Sequence, residues 1–330
     1  RWLPEENVPY SRPTHSRMEM HTLPERTEAA LEIEGLRKEY EQTVALDDLN
    51  LTVNRGEVFG FLGPNGAGKT TAVKCCLDLV RPTAGTVRLL GRPSRDWRAR
   101  SRVGFLPEHF RFQEWLTATE FLEVHGRLQG VPEAQRRRRA GELLELLDLS
   151  RHAQRPLKDF SKGMLQRTGL AQALINDPEL VLLDEPTSGL DPLGRRLVRE
   201  LIQDLRRQGT TVFLNSHLLS EIEVTCDRVA FIRRGRVVHC GTLNDLLGRQ
   251  TEVEIRLEPG SPLPVADLAA QGWSAVGDGD RVRVQLDGEE QVPDLVAWLV
   301  GQGLRIRAVS PQRRSLEEAF LGLMEGEEAG

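Results

Sequence analysis

Val58-Phe59-Gly60-Phe61-Leu62-Gly63-Pro64-Asn65-Gly66-Ala67-Gly68-Lys69-Thr70 decides the fold. Val58 to Leu62 is a short apolar run, the pattern of a strand buried on both faces. It leads into Gly63 to Thr70, which fits G-x-x-x-x-G-K-[ST] at every fixed position. Beyond the loop, Ala72, Val73, Cys76, Leu77 and Val80 recur at helical spacing. A glycine-rich loop between a buried strand and a helix is a phosphate cradle. Small residues let backbone N–H groups curl around phosphate oxygens without side-chain clash. The helix that follows turns its positive end to the same place. Lys69 can reach the β- and γ-phosphates, and the Thr70 hydroxyl can ligate a Mg²⁺ ion that bridges them.

Further along, Leu180 to Leu183 forms a second apolar run that ends in Asp184-Glu185. Strand ends are where ligands sit in open α/β sheets. Asp184 is suited to holding the Mg²⁺ ion through water, and Glu185 to polarising an attacking water on the γ-phosphate side. Thr211 to Leu214 is a third short strand, and it ends at Asn215-Ser216-His217. Val229 to Ile232 and Arg236 to His239 flank Arg233-Arg234-Gly235 as a hairpin. Helical patterns fill Thr117 to Ala173 and recur at Leu197, Val198, Leu201, Ile202 and Leu205. Strands alternating with helices predict an α/β domain with a largely parallel sheet. The basic run Arg136 to Arg139 reads as a solvated helix face, with contact to lipid headgroups or a partner as the sharper alternative.

Taken in order, these segments resemble the ATP-binding subunit of an ABC transporter over about Leu31 to Leu247. Tyr40 sits where that family stacks an aromatic ring on adenine. Gly63 to Thr70, with Thr71 beside it, matches Walker A, so Gly63, Pro64, Asn65, Gly66, Ala67, Gly68, Lys69, Thr70 and Thr71 are the implied ATP-binding residues. Gly104-Phe105-Leu106-Pro107-Glu108 occupies the Q-loop position, with Glu108 where a glutamine is usual. Phe160-Ser161-Lys162-Gly163-Met164, followed by Gln166-Arg167, matches the signature motif, with Lys162 and Met164 replacing the usual Gly and Gln. Val181 to Pro186 matches Walker B, Ser188-Gly189-Leu190-Asp191 the D-loop, and His217 the switch histidine. The signature segment separates this family from other nucleotide-binding proteins.

The resemblance implies a P-loop NTPase of ABC type: a RecA-like core, an antiparallel β subdomain and an α-helical subdomain. It implies ATP and Mg²⁺ as ligands, with Thr70, Glu108 and Asp184 at the metal, Glu185 as general base and His217 orienting the water. Ser161 and Gly163 would clamp the γ-phosphate bound by a second ATP-binding subunit, and Asp191 would communicate between the two. The expected partner is a separate integral membrane permease, contacted around Phe110 to Val131, and the expected place is the cytoplasmic face of the plasma membrane. The variant signature and Glu108 resemble an exporter branch. The alternative is a soluble ABC-type ATPase in translation or DNA maintenance, which usually has two nucleotide domains or a long coiled coil; this chain has room for neither.

Near Gly248 the composition shifts. Val253, Ile255 and Leu257 alternate, as do Val282, Val284 and Leu286. With helices at Val265 to Ala270 and Val292 to Val300, and strands near Trp273 and Ile306, the order is β-α-β-β-α-β, a ferredoxin-like α+β unit. A last helix, Leu316 to Met324, presents Phe320 and Leu323 on an apolar face. The expected division is therefore a disordered leader over 1–29, an ATP-binding domain over 30–248 and an accessory domain over 249–330. Arg1 opens the chain, and Met18 and Met20 inside the leader are candidate translation starts.

Composition narrows the classes. Of 330 residues, 39% are hydrophobic, enough for a real core, and no apolar run nears the roughly 20 residues of a membrane span. The formal net charge is −5, which argues against a nucleic-acid coat, so no nucleic-acid partner is expected. No positively charged start followed by an apolar stretch is visible, so a secretory signal is not expected. The four cysteines, Cys75, Cys76, Cys226 and Cys240, form neither a disulfide framework nor a zinc pattern.

Overall fold

The computed structural model describes residues 29–247, 251–313 and 316–325. The leader expected over 1–29 lies outside the described residues apart from Ala29, which already opens a strand.

The chain begins with β1 (Ala29–Tyr40) and β2 (Thr43–Asn54), then β3 (Val58–Leu62), α1 (Lys69–Cys76), β4 (Ala84–Leu89) and β5 (Arg92–Pro93). Next come α2 (Trp97–Arg100), β6 (Val103–Leu106), α3 (Ala118–Leu128), α4 (Glu133–Leu146) and α5 (Lys162–Ala173). They lead to β7 (Leu180–Asp184), α6 (Pro192–Arg207), β8 (Thr211–Asn215), α7 (Leu219–Thr225), β9 (Arg228–Arg233), β10 (Arg236–Thr242) and α8 (Leu243–Leu247). A six-stranded sheet has the order β10-β9-β3-β8-β7-β6. It is parallel from β9 to β6, and β10 closes one edge as the antiparallel arm of the expected hairpin.

Its apolar strands are buried on both faces, and their alternation divides them between two cores. Val58 and Leu62, Val181 and Leu183, Val212 and Leu214, and Val229 and Phe231 face the side covered by α3 to α6. Phe59 and Phe61, Leu180 and Leu182, Phe213, and Ala230 and Ile232 face the other. There they meet α1 and the antiparallel sheet β2-β1-β4-β5, which contributes Leu31, Leu36, Leu49 and Val53. Phe213 lies at the centre, with ring centroids 6.0 Å from Phe59 and 5.3 Å from Phe61. Each such side chain adds about 1.5–3 kcal/mol on burial.

The helical layer is set by its caps. Thr117 and Glu120 form a reciprocal capping box at the start of α3, with Thr117 N donating to Glu120 Oε2 at 2.8 Å and Glu120 N donating to Thr117 Oγ1 at 3.2 Å. Along α4, Arg137 pairs with Glu133, and Arg138 and Arg139 pair with Glu142. Arg136 donates to the Val131 carbonyl at 2.6 Å. Three of the four arginines are thus paired with carboxylates of the same helix; Arg137 and Arg138 lie on an exposed face, whereas Arg136 and Arg139 are half-buried.

The remaining elements are β11 (Thr251–Leu257), α9 (Val265–Ala270), β12 (Ser274–Asp278), β13 (Arg281–Leu286), α10 (Val292–Gly301), β14 (Ile306–Arg313) and α11 (Leu316–Glu325). The strands form an antiparallel sheet of order β12-β13-β11-β14, which is the split βαβ pattern. One face packs on Leu268, Leu295 and Leu299, with Trp273 and Trp298 edge to face at 5.8 Å. The last helix departs from its expected grouping with this sheet. Leu316 is fully buried in the core beneath the large sheet, and the Phe320 ring stands 5.4 Å from that of Phe231 in β9. The physical reason is available apolar surface: the small sheet's core is already closed by α9 and α10, whereas α7, α8 and β9 leave a face for α11 to cover. The side chain of Leu323 lies outside the described residues.

Candidate functional site

β3 runs into the loop Gly63 to Gly68, and α1 starts at Lys69. The loop closes on itself through Ala67 N to Pro64 O at 3.1 Å and is tied to the β9–β10 turn by Gly235 N to Ala67 O at 2.9 Å. Two glycines make its path possible. Gly66 has φ +81, and Gly68, the residue before α1, has φ +107, where a Cβ would sit 2.4 Å from Ala45 O. The first N–H groups of α1 have no partner within the helix, so they are free for an anion. Lys69 is nearly buried, and its Nζ donates to Gly63 O at 2.7 Å and Pro64 O at 3.2 Å. Burial lowers its pKa, against which Glu185, Asp184 and Glu108 pull upward.

Around this loop lies a cavity of about 600 Å³ lined by Thr43 to Ala45, Asn65 to Thr71, Glu108, Asp184, Glu185, Asn215 and His217. Separate segments thus bring the predicted Walker A and Walker B residues, Glu108 and His217 together. Asp184 ends β7 and is buried. Desolvation, with Glu108 and Glu185 adding to it, pushes its carboxyl up to about 6, while a hydrogen bond from Asn215 Nδ2 in the adjacent β8 opposes the rise. Glu185, the next residue, has φ +52, a left-handed conformation that a side-chain-bearing residue adopts only when its surroundings impose it. Its N–H donates to Asn215 O at 2.8 Å, its Oε1 accepts from His217 N at 2.9 Å, and its Oε2 lies 2.7 Å from His217 Nδ1. The carboxylate is almost wholly buried, while the imidazole is 60% exposed, so one end of the pair is fixed and the other reaches outward.

The donor set suits Mg²⁺. Thr70, Glu108 and Asp184 supply hard oxygens, and the buried Asn215 Oδ1 beside them has no hydrogen-bond partner in the chain. Among the described residues no three His, Cys, Asp or Glu side chains form a metal cage.

Other predicted residues stand apart. Tyr40 is at the end of β1, 43% exposed, with Lys38 Nζ 4.7 Å from its ring centroid, and the cavity wall nearest it is Thr43 to Ala45. Ser161 caps α5 by accepting from Met164 N at 3.2 Å, and neither it nor Gly163 lines this chain's own cavity. Asp191 caps α6, its Oδ1 accepting from Gly194 N at 2.8 Å, with Pro192 in the first turn. Asn215 escaped prediction. Its signal was position alone, since it ends the strand next to the one ending in Asp184, and buried asparagines need partners.

The chain's residues 46–188 match the ABC transporter family. It is 44% identical over 289 residues to an uncharacterised ABC transporter ATP-binding protein of Nostoc sp., covering 85% of this chain and 83% of that one. It is 39% identical over 236 residues to the Nod factor export ATP-binding protein I of Ralstonia nicotianae, covering 71% of this chain and 74% of that one. Among solved structures it resembles a dimeric ATP-binding cassette in a post-hydrolysis state bound to ADP and Pi. The TM-score is 0.60 at 27% identity, over 64% of this chain and 98% of that one. With the loop, the acidic strand end and the ordered motifs in place, the chain belongs to the ABC transporter family, as an ATP-binding subunit that hydrolyses ATP.

Proposed function

We propose that this chain energises an export permease by closing on a second ATP-binding subunit around ATP. The observation that carries the reading is a division of labour. The cavity gathers Walker A, Asp184, Glu185 and His217 on one chain, yet Ser161 stays exposed and outside it. A helix end bearing a serine and a glycine is a γ-phosphate clamp without a phosphate of its own, and a second subunit supplies one. The Ralstonia protein is named for export, and the solved cassette is a dimer, both of which support this.

In the closed state Gly63 to Thr71 would cradle the triphosphate, with the Lys69 ammonium turning from the loop carbonyls to the β- and γ-phosphates. Tyr40 would reach the adenine side. Mg²⁺ held by Thr70 and Asp184, with Glu108 near, would neutralise charge on the β- and γ-oxygens. The His217 side chain would orient the attacking water and the γ-phosphate. Glu185 would take the water's proton on its carboxylate, held in place by the His217 N–H. Asp191 would face the second subunit from the start of α6. Loss of γ-phosphate contacts after hydrolysis would reopen the pair, a two-state element.

No helix among the described residues is long and apolar enough to cross a membrane. In this reading the permease is a separate integral membrane chain, and the ATP-binding subunit docks against it at the cytoplasmic face of the plasma membrane. A groove of about 390 Å³ takes Phe110, Arg111, Phe112 and Glu114 from the region expected to touch it, just after Glu108, and is completed by Leu157, Lys158 and Leu165 from outside that region. We assign 30–248 to the ATP-binding domain and 249–330 to the accessory segment, with α11 returning to the former. Mild-detergent extraction followed by affinity purification of the full chain tests the partner. An integral membrane protein in stoichiometric amount is expected; ribosomes or DNA ends in its place would contradict the reading.

A further inference from the structure

Glu185 is held twice from the end of β8 and the residues after it, through Asn215 O and His217 N. A third hold comes from elsewhere. Gln166, on α5, donates its Nε2 to Glu185 O at 3.1 Å and to Pro186 O at 3.2 Å. The amide orientation is forced, since a reversed amide would set its oxygen against two carbonyls. Glu185 O also accepts from Ser188 N at 3.1 Å, so Gln166 clamps the turn that leaves β7 at its tightest point.

The contact matters because of what α5 carries. Ser161 caps this helix, and Gly163 lies in its first turn against the Leu190 side chain. The aliphatic end of Lys162 lies over Gly189. So the N-terminal part of the helix that bears the signature residues touches the Glu185–Leu190 segment at both of its ends, and Gln166 is its hydrogen-bonded grip on the left-handed Glu185. A left-handed non-glycine conformation is strained and persists only where neighbours hold it.

We propose that Gln166 is a positioning residue, which ties the alignment of the Glu185 carboxylate to the seating of the signature helix. The proposal rests on the reading of Glu185 as general base. When the signature end of α5 engages the second subunit's nucleotide, the two donated bonds hold the Glu185–Pro186 peptide, and with it the carboxylate, against the water. When α5 is displaced, that hold is released and the base loses its aim. Hydrolysis thereby waits on engagement, and a subunit that has bound ATP alone is kept from wasting it.

The test compares steady-state ATPase rates of Gln166→Leu, which keeps the volume and loses the donor, with Gln166→Lys, which restores one. Gln166→Leu should lower kcat between about 10- and 100-fold, the scale of a slightly misplaced catalytic group, with KM for ATP changed less than about threefold. Gln166→Lys should recover part of kcat. In a Glu185→Gln background the leucine change should cost less than about twofold, because there is no base left to aim. Equal loss in both backgrounds, or a KM rise without a kcat fall, would overturn the coupling. Should Gln166→Leu fail to fold, Gln166→Glu, whose carboxylate repels the same carbonyls, takes its place with the same expectations. A wild-type rate in Glu185→Gln alone would remove the base assignment instead, a separate outcome from failure of the coupling.

Discussion

Gly66 and Gly68 lie in one loop and both have positive φ, yet a methyl group at each would meet different surroundings. At Gly66 an added Cβ finds nothing within 4 Å. At Gly68 it would sit 2.4 Å from Ala45 O and 2.9 Å from Leu46 Cδ2. Ordinary carbon–oxygen contact is near 3.3 Å, so backbone must move. Gly66→Ala should cost only the left-handed penalty, about 1–2 kcal/mol. Gly68→Ala adds overpacking of about 1–3 kcal/mol, for a total of about 2–5 kcal/mol. Against a total stability of roughly 5–15 kcal/mol, the second change is large. It should also weaken ATP, because Ala45 lines the cavity and its carbonyl is the atom struck. Urea unfolding of the nucleotide-free variants measures the first effect, with unchanged m as the check that only stability moved. Titration with a fluorescent ATP analogue measures the second, for which Gly68→Ala should lose at least about tenfold, or 1.4 kcal/mol. Equal midpoints for the two alanine variants, or wild-type affinity in Gly68→Ala, would refute the close approach of the loop to β2.

His125 packs its ring 4.4 Å from Phe121, and burial lowers its pKa below the ordinary 6.5. The neutral ring's contribution to stability is therefore present above pH 6.5 and lost as pH falls through the lower folded-state value. Unfolding midpoints between pH 7 and pH 5 should decline, and His125→Phe should flatten part of that decline; an identical slope in the variant contradicts it. Leu316→Ala should cost about 2–5 kcal/mol, the range for emptying a core site, because α11 is seated in the large core. A shift in thermal midpoint too small to measure would mean α11 is detached in solution.

The sheet was legible because its physics is local. Runs such as Val58 to Leu62 and Leu180 to Leu183 are apolar at every position, which only a strand covered on both faces requires. The phosphate loop was legible because backbone approach to an anion restricts residue type at fixed spacing. Glu185 was placed by the end of its apolar strand, Glu108 and His217 by resemblance, and the cavity brings all three together. Other features depended on partners far along the chain. Whether Leu316 belongs to the small sheet or the large core is a contest for apolar surface that periodicity cannot decide. Ser161 and Asp191 read as interface residues, while their immediate work within the chain is to cap α5 and α6. Asn215 and Gln166 act through hydrogen bonds to residues 31 and 19–20 positions away, and no local pattern marks such bonds.

The central claim is that two subunits share each ATP. It is tested most directly by weighing the Glu185→Gln chain in solution with and without Mg²⁺ and ATP, using light scattering and counting bound nucleotide. Removal of the base should slow turnover by about 10²-fold or more, so ATP persists through the measurement. The account predicts a monomer without nucleotide and a dimer holding two ATP molecules with it. A chain that binds ATP stoichiometrically and keeps its monomer mass at every protein concentration would contradict it.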